Sequence, residues 1–151
     1  TLFTFAFQAK ASNNECVPTK TVEQATADYN TGVQALDTNL QTEYNAATVQ
    51  LQQRYDSALA AYNERVQYLY EQVNQEIAVI QHDSNPGWQQ AIEEATARYN
   101  VNVLTAQNEY YAQTDAAAAN YNATTEQSRA NYNSQAQKIA DDYNHAVCAT
   151  P

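Results

Sequence analysis

Residues 82–87 of this 151-residue chain read His-Asp-Ser-Asn-Pro-Gly and interrupt an otherwise regular sequence pattern. Asn85 before Pro86 predicts the start of a helix, with Asn85 as its N-cap and Pro86 at the first helical position, where the missing N–H costs nothing. The chain has only 2 glycines and 3 prolines, so it offers few other turns. We therefore expect the chain to reverse once, between two antiparallel helices.

Large apolar residues recur every eleven residues on both sides of this break. Eleven residues make three turns at about 3.67 residues per turn, close to the 3.6 of a straight α-helix. The pattern predicts an all-α fold: a rod-like antiparallel hairpin, or hendecad coiled coil, with helices over 19–82 and 86–148 and a turn at 83–85. This first register contains Val22, Val33, Tyr44, Tyr55, Val66, Ile77, Trp88, Tyr99, Tyr110, Tyr121, Tyr132 and Tyr143.

Two further registers complete a stripe of three positions in eleven. One lies seven residues after the first and includes Leu51, Tyr62 and Ala106; the other lies four residues after it and includes Leu59 and Tyr70. If facing residues have numbers that sum to 165, first-register residues of the two helices face each other, as in Tyr55 with Tyr110.

The aromatic residues of the first register are the candidate seam and assembly residues. Their rings are expected either to fill the core with the hydroxyls at its wet edge, or to stack or become cross-linked in an assembled material. The seam residues are Tyr44, Tyr55, Trp88, Tyr99, Tyr110, Tyr121, Tyr132 and Tyr143.

The same helix pairing is expected to bring the two cysteines, Cys16 and Cys148, together at the open end of the hairpin, since their numbers sum to 164. This predicts a terminal disulfide and hence an oxidising compartment. Two free thiols, or bridges between neighbouring molecules, are the alternatives.

The N-terminal segment differs from the rest of the chain. Residues 1–11 carry an apolar run followed by Ala9-Lys10-Ala11, which is typical of a signal-peptide remnant; a retained N-terminal arm is the alternative. Residues 12–18 form a lead that contains Cys16. No run approaches the roughly 20 apolar residues of a membrane span, so we expect no transmembrane segment. The signal-like segment and the predicted disulfide indicate an extracellular protein.

Asn122 begins an Asn-x-Thr sequon and is a candidate glycosylation site.

Charge and residue types argue against nucleic acid binding and against catalysis. The formal net charge is −10, whereas a phosphate backbone requires a basic surface. His82 and His145 are expected at opposite ends of the hairpin and share no site, and two helices form no pocket that desolvates a carboxylate. We predict no catalytic residue, cofactor or metal, and no small-molecule ligand.

These features predict a secreted structural protein that self-associates through its helix faces into a homo-oligomer, fibre, bundle, coat or matrix. Seven asparagines directly follow tyrosines, and their amides either bond across helices or keep a charge-poor surface wet. An amphipathic lipid- or interface-binding protein is the first alternative, with few Lys and Arg residues against it. Ice binding is a weaker alternative. It uses a threonine row that Asp37 interrupts, formed by Thr26, Thr48, Thr114 and Thr125.

Overall fold

The structure is a computed structural model that describes residues 17–82 and 86–148. Within these ranges the chain forms two helices and no strand: α1 is Val22–His82, with 61 residues, and α2 is Trp88–Ala146, with 59 residues. The prediction of an all-helical chain with two helices packed against each other is confirmed. Cys16, residues 1–11, and the predicted turn and cap at residues 83–85 lie outside the described residues.

Helix α1 begins at Val22, three residues after the predicted start at residue 19, because a capping box forms there. Thr21 Oγ1 accepts a hydrogen bond from the Gln24 amide at 3.2 Å, and Gln24 Oε1 accepts one from the Thr21 amide at 3.1 Å. This reciprocal pair satisfies two backbone donors at the helix start. The Thr19 and Lys20 amides donate instead to the Ala146 carbonyl, at 3.0 and 3.4 Å.

Helix α2 begins at Trp88, so the prediction that Pro86 is the first helical residue is wrong. Gly87 has a φ of +105°, a conformation that favours glycine. Its carbonyl accepts the first helical hydrogen bond from the Ala91 amide at 3.1 Å. Gly87 is therefore the N-cap, and Pro86 precedes the helix. At the other end α2 stops at Ala146, two residues before the predicted residue 148.

The chain divides into two compact units. Of the described residues, unit 1 combines 17–46 with 124–148, and unit 2 comprises 47–82 and 86–123. In each unit, a segment of α1 packs antiparallel to a segment of α2. The core residues are mostly alanine: Ala25, Leu36 and Ser128 are buried in unit 1, and Ala47, Ala58, Leu69, Ala95, Ala106 and Ala117 in unit 2.

Burial follows an eleven-residue spacing in both helices, but one register of α1 differs from the prediction. The buried series begins at Ala25 and continues through Leu36 and Ala47 to Leu69, one residue before the predicted series. Leu59 and Tyr70, predicted in the stripe, are 46% and 53% exposed. Small side chains let the helices approach closely, so the contact centres on alanine although the bulkier residues dominate the sequence pattern.

The pairing of the two helices also differs from the prediction. The Tyr62 and Tyr110 ring centroids are 5.6 Å apart in unit 2, and those of Tyr29 and Tyr143 are 5.8 Å apart in unit 1. Both pairs have numbers that sum to 172, so the predicted sum of 165 is wrong. The same sum puts Ala106, which is 4% exposed, opposite Val66. Some layers of the contact thus pair two rings, as Tyr62 with Tyr110, whereas others pair a large residue with an alanine, which fills the contact without overpacking.

Candidate interaction surface

The predicted seam residues lie along the contact between α1 and α2. Trp88, at the start of α2, is the exception and is 43% exposed. A half-buried tyrosine places its ring against the partner helix and keeps its polar end near water. The half-buried members are Tyr44, Tyr55, Tyr99, Tyr110, Tyr121, Tyr132 and Tyr143.

Tyr132 makes a polar contact between the helices in unit 1. Its hydroxyl donates a hydrogen bond to Asp37 Oδ1 at 2.8 Å. This bond to a carboxylate, together with partial burial, raises the pKa of Tyr132 above its ordinary value. The phenol therefore remains a protonated donor, and Asp37 supports the helix contact beside the core.

Three tyrosine rings form a cluster in unit 2. The Tyr110 ring centroid lies 5.6 Å from that of Tyr62 on α1 and 5.6 Å from that of Tyr111, the next residue of α2. Tyr62 and Tyr110 are half-buried, whereas Tyr111 is 52% exposed. Tyr111 lies outside the predicted registers. The sequence feature that could have identified it is its position directly after the seam residue Tyr110.

Exposed apolar side chains form a second set, separate from the core of unit 2. On α1, Leu59 and Tyr70 are eleven residues apart, and so are Tyr68 and Val79, which are 53% and 62% exposed. These four residues are the lateral pairs. Their spacing keeps each pair on one helix face.

A comparable patch lies on α2. Val101, Leu104 and Tyr111 are 62%, 56% and 52% exposed. Residues separated by three and seven positions share one face of a helix. These three residues are the outer patch of unit 2. The sequence analysis missed the patch because its residues lie outside all three predicted registers.

Several surface amides bond within their own helix. Gln67 Nε2, for example, donates to Glu71 Oε1 at 2.7 Å and Gln41 Nε2 to Asn45 Oδ1 at 2.9 Å. Such pairs, four residues apart, stabilise a helix modestly. Asn45 is one of the seven asparagines that follow tyrosines, and its bond lies within α1; the two predicted roles of the amide row stay predictions. The other pairs are Gln52 with Asp56, Gln90 with Glu94, Gln127 with Asn131, and Gln137 with Asp141.

The threonines of the predicted ice-binding row do not share one environment. Thr26 is exposed and its hydroxyl donates to the Val22 carbonyl at 2.7 Å, whereas Thr114 is half-buried and donates to the Tyr111 carbonyl at 2.9 Å. Hydroxyls that bond their own helix backbone are not a free ordered array.

The remaining predicted site residues are dispersed. Asn122 is exposed on α2, and Cys148 lies just after the end of α2 with a φ of +54°. His82 is the last residue of α1 in unit 2, and His145 lies in the last turn of α2 in unit 1. Over residues 17–82 and 86–148, no group of three or more His, Cys, Asp or Glu residues is placed to hold a metal ion.

An open cleft of about 320 Å³ lies in unit 1, where the first described residues meet the end of α2. Its walls include the Tyr29 and Tyr143 rings together with Lys20, Ile139 and Asp142. Lys20 Nζ is 2.6 Å from Asp28 Oδ2, and Lys138 Nζ is 2.6 Å from Asp142 Oδ2. The charged groups beside the cleft are thus paired with each other.

No family model, curated protein or solved structure matches this chain. Neither of the two described helices contains a stretch apolar and long enough to cross a lipid bilayer.

Proposed function

We propose that this chain is a secreted, non-enzymatic structural protein that self-associates through its helix faces into an extracellular fibre, bundle, coat or matrix. The observation that carries the proposal is the set of exposed apolar residues on unit 2. The lateral pairs repeat at the same eleven-residue spacing as the core. A second apolar repeat outside the core is suited to contacts with other helices of the same period.

The shallow burial of the large side chains supports association. None of the large side chains among the described residues is fully buried. Burial of apolar surface is the main favourable term in folding and association, so contacts between copies supply what a core rich in alanine lacks.

The terminal disulfide, Cys16–Cys148, is part of this proposal. Cys16 and Cys148 are the two cysteines of the sequence, and Cys148 lies just after the end of α2 in unit 1. A bridge over a loop this long stabilises a fold by about 4–5 kcal/mol in the chain-entropy model. It also agrees with secretion, since disulfides persist in oxidising compartments.

Peptide mapping without reductant tests the bridge. We expect one linked peptide pair that contains Cys16 and Cys148, and a lower thermal midpoint after reduction. Mixed-chain ladders on a non-reducing gel would show bridges between molecules and contradict this part of the proposal.

Sedimentation velocity over a wide protein concentration range, with electron microscopy of the same samples, tests the function. We expect larger species that grow with concentration. The double variant Val101→Gln with Leu104→Gln should weaken association, because it makes the outer patch polar. Val22→Gln is the matched control, since Val22 is also 62% exposed but belongs to unit 1 and is not a member of the outer patch.

A strictly monomeric chain at high concentration, without filaments, contradicts the proposal. If Val22→Gln and the double variant weaken association equally, the outer patch has no specific role in the proposed assembly. Co-sedimentation of the monomer with neutral liposomes, lost in the double variant, would assign the patch to a lipid surface instead.

A further inference from the structure

The tyrosine cluster of unit 2 has a geometry suited to covalent chemistry between the helices. Tyr62 on α1 and Tyr110 on α2 have ring centroids 5.6 Å apart and ring planes tilted by 41°. The 67° angle between Tyr29 and Tyr143 is closer to an edge-on arrangement. A carbon–carbon bond between two phenols forms at ring carbons beside the hydroxyls. The rims of the two rings must therefore come together, and the smaller tilt favours this.

The surroundings of Tyr62 and Tyr110 leave room for the rings to turn. A cavity of about 40 Å³ adjoins the pair, and Ala58, Ala61 and Ala106 contribute to its walls. The other walls are the exposed residues Arg65, Glu109 and Gln113, so a ring that reorients there displaces no buried side chain. The pair can therefore reach a bonding geometry while the backbones of α1 and α2 stay in place.

Tyr111 connects this pair with solvent. Its ring centroid is 5.6 Å from that of Tyr110, and the residue is 52% exposed. A one-electron oxidant that acts at the surface thus meets a phenol whose ring adjoins the half-buried pair. Electron and proton exchange between neighbouring phenols can then carry the oxidation to Tyr110.

We propose that Tyr62 and Tyr110 are an oxidative cross-linking site, at which a haem peroxidase with hydrogen peroxide joins α1 to α2 through a dityrosine bond. Tyr111 is the residue that the oxidant attacks first. The proposal stands on the contacts within one chain and does not depend on self-association.

The reaction balances with hydrogen peroxide as oxidant. Each of the two tyrosines loses one electron and its phenolic proton to become a phenoxyl radical. The two radicals form one carbon–carbon bond at ring positions beside the hydroxyls, and the ring hydrogens displaced there move to the phenolic oxygens. The two electrons and two protons removed reduce one hydrogen peroxide to two waters.

The test is limited oxidation of the dilute full chain with a haem peroxidase and one equivalent of hydrogen peroxide. We expect dityrosine fluorescence in the monomer, a mass lower by two hydrogens, and a linked peptide pair that contains Tyr62 and Tyr110. Tyr62→Phe and Tyr110→Phe should each reduce the monomer fluorescence to background, because phenylalanine keeps the ring but cannot form a phenoxyl radical. Tyr111→Phe should give the same product more slowly.

Tyr29→Phe is the matched control, because Tyr29 is a 37% exposed tyrosine of the other pair between the helices, outside the cluster. It should leave the yield unchanged, and circular dichroism should show the same helix content in all variants. Dityrosine that appears only in covalent dimers, or that survives in Tyr62→Phe, overturns the proposal. Undiminished rates in Tyr111→Phe overturn the role of Tyr111. If Tyr110→Phe loses helix content, its result is set aside. The Tyr62→Phe variant and the peptide map of the unaltered chain then decide whether Tyr62 and Tyr110 are cross-linked.

Discussion

Gly32 lies where α1 and α2 approach closely in unit 1. A Cβ at this position would be 2.9 Å from Ile139 Cδ1. The sequence alone marks Gly32 only as a weak point in a long helix, since glycine costs about 1 kcal/mol relative to alanine there. The structure explains why a glycine stands at this position: the absence of a side chain leaves the space that the Ile139 side chain fills.

Gly32→Ala in the unaltered chain is expected to change the free energy of unfolding by less than about 0.5 kcal/mol. The gain in helix propensity, about 1 kcal/mol, is offset by moving the end of Ile139, which costs about 0.5–1.5 kcal/mol. In an Ile139→Val background the contact is removed, and the same substitution should stabilise by about 1 kcal/mol. Urea unfolding of the unaltered chain, the two single variants and the double variant measures how the effect of Gly32→Ala on the free energy of unfolding depends on Ile139.

Gly87→Ala is the control for backbone conformation. No atom of the described residues lies within 4 Å of its added Cβ, but its φ is +105°, so we expect a loss of more than about 1 kcal/mol. If Gly32→Ala stabilises equally with and without Ile139, the proposed close contact is absent in solution.

Tyr132 gives a prediction about pH. Its pKa is raised because its hydroxyl donates to Asp37. A raised pKa in the folded state means that the stabilisation is fully present below the ordinary tyrosine pKa of about 10, and is lost as the pH rises through the higher folded value. Carbon-13 NMR of labelled tyrosine should show one late-titrating phenol, and this should disappear in Tyr132→Phe.

Asp37→Asn should return the Tyr132 titration toward its ordinary range, because the amide accepts a weaker hydrogen bond and carries no charge. An unchanged late titration in Asp37→Asn would contradict the assignment of the shift to this carboxylate.

At the scale of the helices, the capping box explains where α1 begins. Thr21 and Gln24 satisfy each other's backbone amides, so Thr21→Ala should destabilise the fold by about 1 kcal/mol. Hydrogen exchange should show faster opening of the first turn, and urea unfolding should give the free energy.

Thr31→Ala is the matched control for Thr21→Ala. Thr31 is exposed inside α1, and its hydroxyl donates to the Ala27 carbonyl at 2.8 Å. Because alanine is the better helix former, we expect a gain of about 0.5 kcal/mol. Equal losses for both substitutions would refute a specific capping role for Thr21.

Helix ends were predictable to different degrees. The end of α1 at His82 agrees with the prediction, because the break at residues 82–87 is visible in the residue types. The shift from residue 86 to Trp88 at the start of α2 was not predictable from the Asn-Pro pair. It depends on the backbone conformation of Gly87, which several turn types allow.

At the scale of the whole molecule, the net charge of −10 opposes association between copies. The proposed assembly should therefore strengthen as salt rises from 0.01 to 0.15 M, because the Debye length falls from about 30 to about 8 Å. Sedimentation at fixed protein concentration measures this effect. Weaker association at higher salt would indicate that ion pairs, and not apolar contacts, hold the copies together.

The sequence by itself determined the helical period and the single break. An eleven-residue spacing close to 3.6 residues per turn is a local property of the chain, and so are the break signals around Pro86. The seam residues were therefore identifiable without coordinates, and all seven tyrosines among the eight are half-buried.

Only the tertiary structure decided how α1 pairs with α2 and which residues are deepest. A repeating stripe matches a second repeating stripe at several offsets, so periodicity cannot choose between them. The choice depends on side-chain volume across the contact, where tyrosine rings meet in some layers and alanines of α2 lie opposite larger residues of α1 in others. This packing buries the Ala25 series, exposes Leu59 and Tyr70, and brings Tyr62 rather than Tyr55 to Tyr110.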